Sequence, residues 1–459
     1  MLSCTSATGR DLNDAYLARP FSPWHLQISA LDRQWVGARG IRATMIRGYR
    51  ISWTLITLPM WLLLWLVDSV VPLHKILPAT VLPRDPTWSA RQRFTGPLLT
   101  RFIWSMTWGF QDPCAQDKAA LTVSKLHHWL FSNGCSASSR HLPPDAHTTA
   151  AWIRYNARDP YGVIVPKTVR AYWFLPPQIS QQGSSLDRDP SLHANERAIL
   201  YLHGGGHING SATEGDRCYA LANATGLPVF GVTLRKATNT SRAFPASLQD
   251  ATLAYAHLCR LDKKITIAGD SAGGGLCMAL LLHLADLSSD KEACFNFRMP
   301  THVILHSPWV DLTMSQDTYY TNAAYDILNT TMCAEASHAY TANVRRGRPL
   351  NATGLQFDSV YDQGPRHPML SPGLPASLPA LTRLASVPNE QTPKFYINYG
   401  SKELFRGELD DFVTLLQAIP DSFVRVLRCD GQVHCWHLLG AFLGHDHAVL
   451  DEAKEFLDL

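Results

Sequence analysis

Gly269-Asp270-Ser271-Ala272-Gly273 places a serine between two glycines where the chain changes character. The residues before it, KKITIA, read as a short apolar strand, and those after it, GGGLCMALLLHL, as an apolar helix. A serine on such a sharp strand-to-helix turn is held out as a nucleophile, and the start of the helix points N–H groups at a developing negative charge. The plainer alternative is a tight glycine turn with a structural serine, because G-x-S-x-G alone recurs by chance. A second signal lies upstream, where His203-Gly204-Gly205-Gly206 follows the strand-like AILYL. A glycine run after a core strand lets backbone amides approach a substrate closely. Gly204, Gly205 and Gly206, together with Ala272, are therefore the candidates for an oxyanion hole. No Lys-Ser/Thr pair and no G-x-G-x-x-G spacing accompanies the run, which argues against a phosphate cradle.

A serine hydroxyl needs a base, usually a histidine held by a carboxylate. The chain has 19 histidines, so type alone decides nothing. His434 stands out because it lies late in the chain, in GQVHCWH, just after the strand-like FVRVLRC; His437, one turn on, is the alternative. The remaining histidines, His203 included, read as structural or surface residues. For the acid, Glu403 follows the strand-like KFYINYG, whereas Glu408, Asp410 and Asp411 read as the solvated face of the next helix. The order Ser271, Glu403, His434 is that of α/β-hydrolases and differs from the orders in chymotrypsin and subtilisin.

The elements needed to hold these residues are legible along the chain. Strand-like runs are expected at 151–155, 169–175, 198–202, 229–233, 265–268, 302–306, 394–399 and 423–427. Helical patterns fall at 248–258, 276–287, 409–419 and 448–456. Apolar strands alternating with helices predict an α/β fold with a mainly parallel sheet covered on both faces. Helix-like stretches lie near 102–108 and 121–130, and the Ser/His/Pro-rich SASSRHLPPDAH reads as a link before the sheet.

Seven blocks in this order resemble the hormone-sensitive-lipase-like branch of the α/β-hydrolases. They are HGGG at 203–206, FPASLQD at 244–250, GDSAGG at 269–274, SPWVDLT at 307–313, PMLSP at 368–372, GSKEL at 400–404 and VHCW at 433–436. The resemblance covers about residue 198 to the C-terminus and implies an acyl-enzyme mechanism without metal or organic cofactor. Three positions depart from it. Glu403 stands where the family usually has aspartate, His367 stands where an aspartate commonly precedes the proline, and Thr233-Leu234-Arg235 replaces a tyrosine-arginine pair.

The N-terminal region adds a placement. Residues 51–67 read ISWTLITLPMWLLLWLV without a charge, and residues 70–73 could extend the run. Arg33, Arg39, Arg42, Arg47 and Arg50 precede it, while only Lys75 and Arg84 follow closely, so the positive-inside rule puts the N-terminus in the cytosol. Sequons at Asn223, Asn239, Asn329 and Asn351 agree with a lumenal body. The expected organisation is a cytosolic segment at 1–50, a signal-anchor helix at 51–73 and a cap and linker at 74–150. A catalytic domain at 151–459 would follow, with a cap insertion at about 314–385. A helix lying within a cap is the alternative for the apolar run.

An anchored chain of this kind further resembles the arylacetamide deacetylases and fungal steryl acetyl hydrolases of the endoplasmic reticulum. That implies removal of short acyl groups, typically acetyl, from hydrophobic alcohols or amines in a type II membrane protein. A net charge of +3 with interspersed signs gives no case for nucleic acid, no obligate protein partner is evident, and ten cysteines without short paired spacing argue against a metal framework. Three other functions fit the same motifs. One is a tailoring acyltransferase or lactonase using the same triad, another a long-chain lipase. The third is a non-catalytic receptor of the gibberellin type, although those receptors lack the histidine that His434 supplies here.

Overall fold

The computed structural model describes residues 167–177, 196–214, 217–289, 298–344, 363–387, 392–439 and 448–458, the backbone of 136–142, and a few single positions besides. In chain order the described elements begin with β1 (Ser136–Leu142), β2 (Val169–Leu175), β3 (Arg197–Leu202), α1 (Arg217–Thr225) and β4 (Val229–Thr233). They continue with α2 (Ala246–Arg260), β5 (Lys264–Asp270), α3 (Ala272–Ser289), β6 (His302–His306), α4 (Thr318–Thr321) and α5 (Thr330–Tyr340). The last are α6 (Leu378–Thr382), β7 (Lys394–Gly400), α7 (Arg406–Gln417), β8 (Val424–Cys429) and α8 (Ala448–Leu457).

The eight strands form one sheet in the order β1-β2-β4-β3-β5-β6-β7-β8. β1 and β2 pair antiparallel, as do β2 and β4, and every later pairing is parallel. The central strands are apolar on both faces, as a doubly covered parallel sheet requires. Along β3 the alternation is visible: Leu200 and Leu202 join the core beneath α2 and α3, whereas Ile199 and Tyr201 join the core beneath α1 and α8. α3 is apolar all round and buried along its length, with Leu276, Leu280 and Leu284 fully covered. This rigid strand–helix pair carries Ser271 at its junction.

One part of the sequence reading needs correction here. The SASSRHL stretch is not a link but the edge strand β1, so the sheet starts inside the segment expected as cap and linker at 74–150. An edge strand need not be apolar on both faces, which is why its Ser, Arg and His residues gave no strand signal. Within the segment expected as a cap insertion at 314–385, α5 is preceded by Asn329, whose side chain accepts the amide of Met332 at 2.9 Å as an N-cap. The Asn329 sequon is buried there, whereas Asn223 is exposed on α1 and Asn239 is half-buried.

The apolar run at 51–73 lies outside the described residues except for Pro59 and Leu63, as do the helix-like stretches near 102–108 and 121–130, the strand-like 151–155, and Asn351. Among the described residues no helix is long and apolar enough to cross a membrane.

Candidate active site

Ser271 sits on the turn between β5 and α3 with φ at +53°, a left-handed conformation that L-residues rarely adopt. The surrounding backbone holds it there. The Ser271 amide donates to the His306 carbonyl at 2.9 Å, and the Ser271 carbonyl accepts the amides of Gly274 at 3.0 Å and Trp309 at 2.9 Å. The turn also needs its second glycine, because a Cβ at Gly273 would run into the carbonyl of Leu202 on β3.

The glycine run after β3 curls over the serine. His203 is buried and bridges two backbone groups: its Nδ1 lies 2.7 Å from the Gly204 carbonyl, and its Nε2 accepts the Leu234 amide at 3.3 Å. A carbonyl can only accept, so Nδ1 carries the proton. Burial, with Lys236 nearby, pushes the ring's pKa down to about 3 and keeps it neutral. Gly204 departs from expectation. Its amide donates to Asp270 Oδ1 at 3.0 Å, so it is committed inside the protein and does not face a substrate. The amides of Gly205 and Gly206 make no hydrogen bond among the described residues, and both glycines line the cavity in front of Ser271. Gly205 has φ at +107°, and a Cβ there would strike the Asn209 carbonyl. Ala272 is the first residue of α3, where helical N–H groups lack intrahelical partners.

Asp270 ties this corner together. Oδ1 also accepts the Tyr201 hydroxyl at 2.7 Å, and Oδ2 lies 3.4 Å from the Arg217 guanidinium. Burial opposes the Asp270 charge, but Arg217, Tyr201 and the Gly204 amide outweigh it and hold the carboxyl below its ordinary pKa.

Glu403 follows β7 and is fully buried. Its Oε1 accepts the Ser307 hydroxyl and the Gly400 amide, both at 2.6 Å, and its Oε2 lies 3.1 Å from His434 Nδ1. His434 Nε2 lies 3.5 Å from Cys435 Sγ, and the imidazole meets the Phe405 ring nearly at right angles, 4.9 Å between ring centres. Burial works against a charged His434. The neighbouring Cys435 and the Glu403 carboxylate work for it and prevail, raising its pKa well above the ordinary histidine value. The alternative base, His437, is packed against the His306 ring and makes no side-chain hydrogen bond among the described residues; burial drives its pKa well down.

The rival acids go elsewhere. Glu408 is buried rather than solvated: Oε1 accepts the Val310 and Asp311 amides, and Oε2 accepts the Tyr319 hydroxyl. It anchors the loop after Ser307-Pro308-Trp309. Asp410 bonds Tyr399, and Asp411 bonds Gln316. The departure at Thr233-Leu234-Arg235 is structural, since Arg235 holds both carboxylate oxygens of Asp250 through its amide and Nε. His367 Nδ1 accepts the Met369 amide at 3.2 Å.

Ser271, His434, Gly205, Gly206 and Asp270 face one cavity of about 210 Å³. Ile208, Trp309, Phe405 and Leu438 supply part of its apolar wall, and Ile327, Leu328 and Met332, from the segment expected as a cap insertion, supply more. Two residues absent from the sequence reading help build the site. Ser307 joins Glu403 to the Cys435 amide, and Asp326 accepts the amides of Leu404 and His434. The SPW block contained the first; nothing in the local sequence marked the second. The arrangement can position a serine, a polarised imidazole and two amide donors around one carbonyl group.

Compared with known proteins, residues 199–438 match a family described as having the alpha/beta hydrolase fold. An acetyl-hydrolase of Streptomyces hygroscopicus is 29% identical over 267 residues, which is 57% of this chain and 75% of that protein. A Schizosaccharomyces pombe protein provisionally named a steryl acetyl hydrolase is 26% identical over 192 residues, 41% of this chain and 42% of that one. The crystal structure of an esterase from the bacterial hormone-sensitive lipase family shares the fold at 19% identity, with a TM-score of 0.53, covering 81% of this chain and 98% of that chain.

Proposed function

We propose, from the premise that this chain belongs to the α/β-hydrolases in their hormone-sensitive-lipase-like branch and is a carboxylic ester hydrolase, that it removes short acyl groups, acetyl above all, from hydrophobic alcohols such as sterols. Ser271 Oγ attacks the ester carbonyl and passes its proton to His434 Nε2. The negative oxygen that forms is held by the amides of Gly205, Gly206 and Ala272. Glu403 keeps the imidazole in the right tautomer and supports its charge. The imidazolium then returns the proton to the departing alcohol, leaving an acyl group on Ser271. Water, deprotonated by His434, attacks the acyl carbonyl; the bond to Ser271 Oγ then breaks, the carboxylic acid leaves, and the imidazolium returns its proton to Ser271.

What carries this mechanism is that His434, held from behind by the buried Glu403, lines one cavity with Ser271 and with Gly205 and Gly206, whose amides make no hydrogen bond among the described residues. Two observations support a short acyl group. The cavity is smaller than the ~300–1,000 Å³ usual for small-molecule sites, and the relatives include proteins named for acetyl hydrolysis. The uncharged run at 51–73, the arginines before it and the exposed Asn223 sequon support a single-pass anchor in the endoplasmic reticulum with the catalytic body in the lumen.

The test is a substrate panel on the full chain in detergent: p-nitrophenyl esters from acetate to palmitate, a steryl acetate and an acetylated aryl amine. Turnover greatest on acetate, extending to the steryl acetate, is expected. Preference for palmitate would replace this function with a lipase, and no ester turnover by the folded chain would overturn it.

A further inference from the structure

Asp326 lies between α4 and α5, in the insertion that follows the SPW turn, and is 3% exposed. Its Oδ1 accepts the amides of His434 at 2.9 Å and Ile327 at 2.8 Å, and its Oδ2 accepts the amide of Leu404 at 2.7 Å. His434 and Leu404 belong to two different loops, one carrying the base and the other the acid. Asn322, four residues earlier on the same insertion, donates Nδ2 to the Glu403 carbonyl at 2.7 Å. One short stretch of the insertion therefore grips the backbone on either side of the Glu403–His434 contact.

We infer that Asp326 is a positioning residue for the reaction: it fixes the acid and base loops against each other and lends His434 a second negative charge as the imidazolium forms. This rests on the assignment of His434 as the base. Among the described residues, the titratable groups facing the Asp326 carboxyl include His434 and Glu403 across the two loops and the Cys333 thiol from α5. Burial raises its pKa, His434 lowers it and Glu403 raises it again, leaving it at about 6. Burial keeps the Cys333 thiol neutral in the working range. At neutral pH and above, the Asp326 carboxylate is thus charged beside His434, whose other neighbours include Glu403, the Cys435 thiol and His437. A carboxylate that only satisfied backbone amides would contribute to folding and leave the titration of His434 untouched.

The test compares Asp326→Asn and Asp326→Glu with the unaltered full chain on p-nitrophenyl acetate between about pH 5 and 9. Reactive sites are counted by labelling Ser271 to completion with a fluorophosphonate. In Asp326→Asn, kcat per labelled site should fall about 10- to 100-fold with KM little changed, because misplacement by an ångström at a reacting group has that effect. The acid limb of kcat/KM should also move to lower pH, since the imidazolium has lost a negative neighbour. Asp326→Glu keeps the charge but displaces both acceptors, so its acid limb should stay in place while kcat falls about 10-fold. An unchanged kcat per site and an unmoved acid limb in Asp326→Asn would overturn the inference. If that variant does not fold, an unchanged kcat per site in Asp326→Glu would do so. An inactive but folded unaltered chain would instead overturn the hydrolase function itself.

Discussion

Ser307 donates its hydroxyl to Glu403 Oε1 at 2.6 Å while its oxygen accepts the Cys435 amide at 3.1 Å. One small side chain, itself at φ +45°, thus fastens the acid to the loop that carries the base. Ser307→Ala leaves a buried carboxylate oxygen and a buried amide each short of a partner. We expect a loss of about 1–3 kcal/mol in urea unfolding. A roughly ten-fold fall in kcat at little-changed KM should accompany it in steady-state kinetics, because the Glu403–His434 geometry loosens.

The pH dependence follows from His434. Catalysis needs the neutral imidazole, and its pKa is raised, so activity should fall as pH drops through a midpoint above the ordinary 6.5 for histidine. Glu403→Gln removes a charge that supports the imidazolium. Its acid limb should shift to lower pH, and kcat should fall by roughly 10³–10⁴-fold, in line with acid variants of other triads. A pH–rate profile of kcat/KM for both proteins checks the direction.

Asp270 couples the serine turn to the glycine run through the Gly204 amide. Its folded-state pKa is depressed, so its contribution to stability is fully present above the unfolded value and is lost as pH falls through the folded one. Asp270→Asn should therefore be less stable by about 1–3 kcal/mol at neutral pH. The gap to the unaltered chain should narrow below the ordinary aspartate range, as urea unfolding at neutral and strongly acidic pH would record.

The proposed placement in the lumen makes a separate prediction. Asn223 is exposed on α1, whereas Asn329 is buried and its Oδ1 is occupied in capping α5. In eukaryotic cells Asn223→Gln should remove one glycan-dependent mobility shift and Asn329→Gln none. A chain with no glycan at any sequon would contradict a lumenal body.

The sequence revealed most of what lies close together in the chain. β5, the Ser271 turn and α3 were legible because an apolar strand, a glycine-flanked serine and an apolar helix follow one another within 26 residues. Glu403 and His434 stand out as candidates by their places after β7 and β8, and only the folded chain shows them 3.1 Å apart. What escaped notice depends on tertiary contact. Asp326 meets His434 across 108 residues, and its own neighbours, Tyr325 and Ile327, carry no motif. Glu408 stands among charged residues and read as solvated, yet it faces inward to hold the amides of Val310 and Asp311. Gly204 shares its motif with Gly205 and Gly206, and only the position of Asp270 separates its amide from theirs.

The most direct measurement is to mix the purified full chain with p-nitrophenyl acetate, quench in acid during turnover, and map the acetylated peptide by mass spectrometry. An acetyl group on Ser271, absent in Ser271→Ala together with a loss of turnover of roughly 10⁴-fold or more, is the expected result. Turnover that persists in Ser271→Ala, or an acetyl group carried on another residue during turnover, would contradict a mechanism centred on this serine.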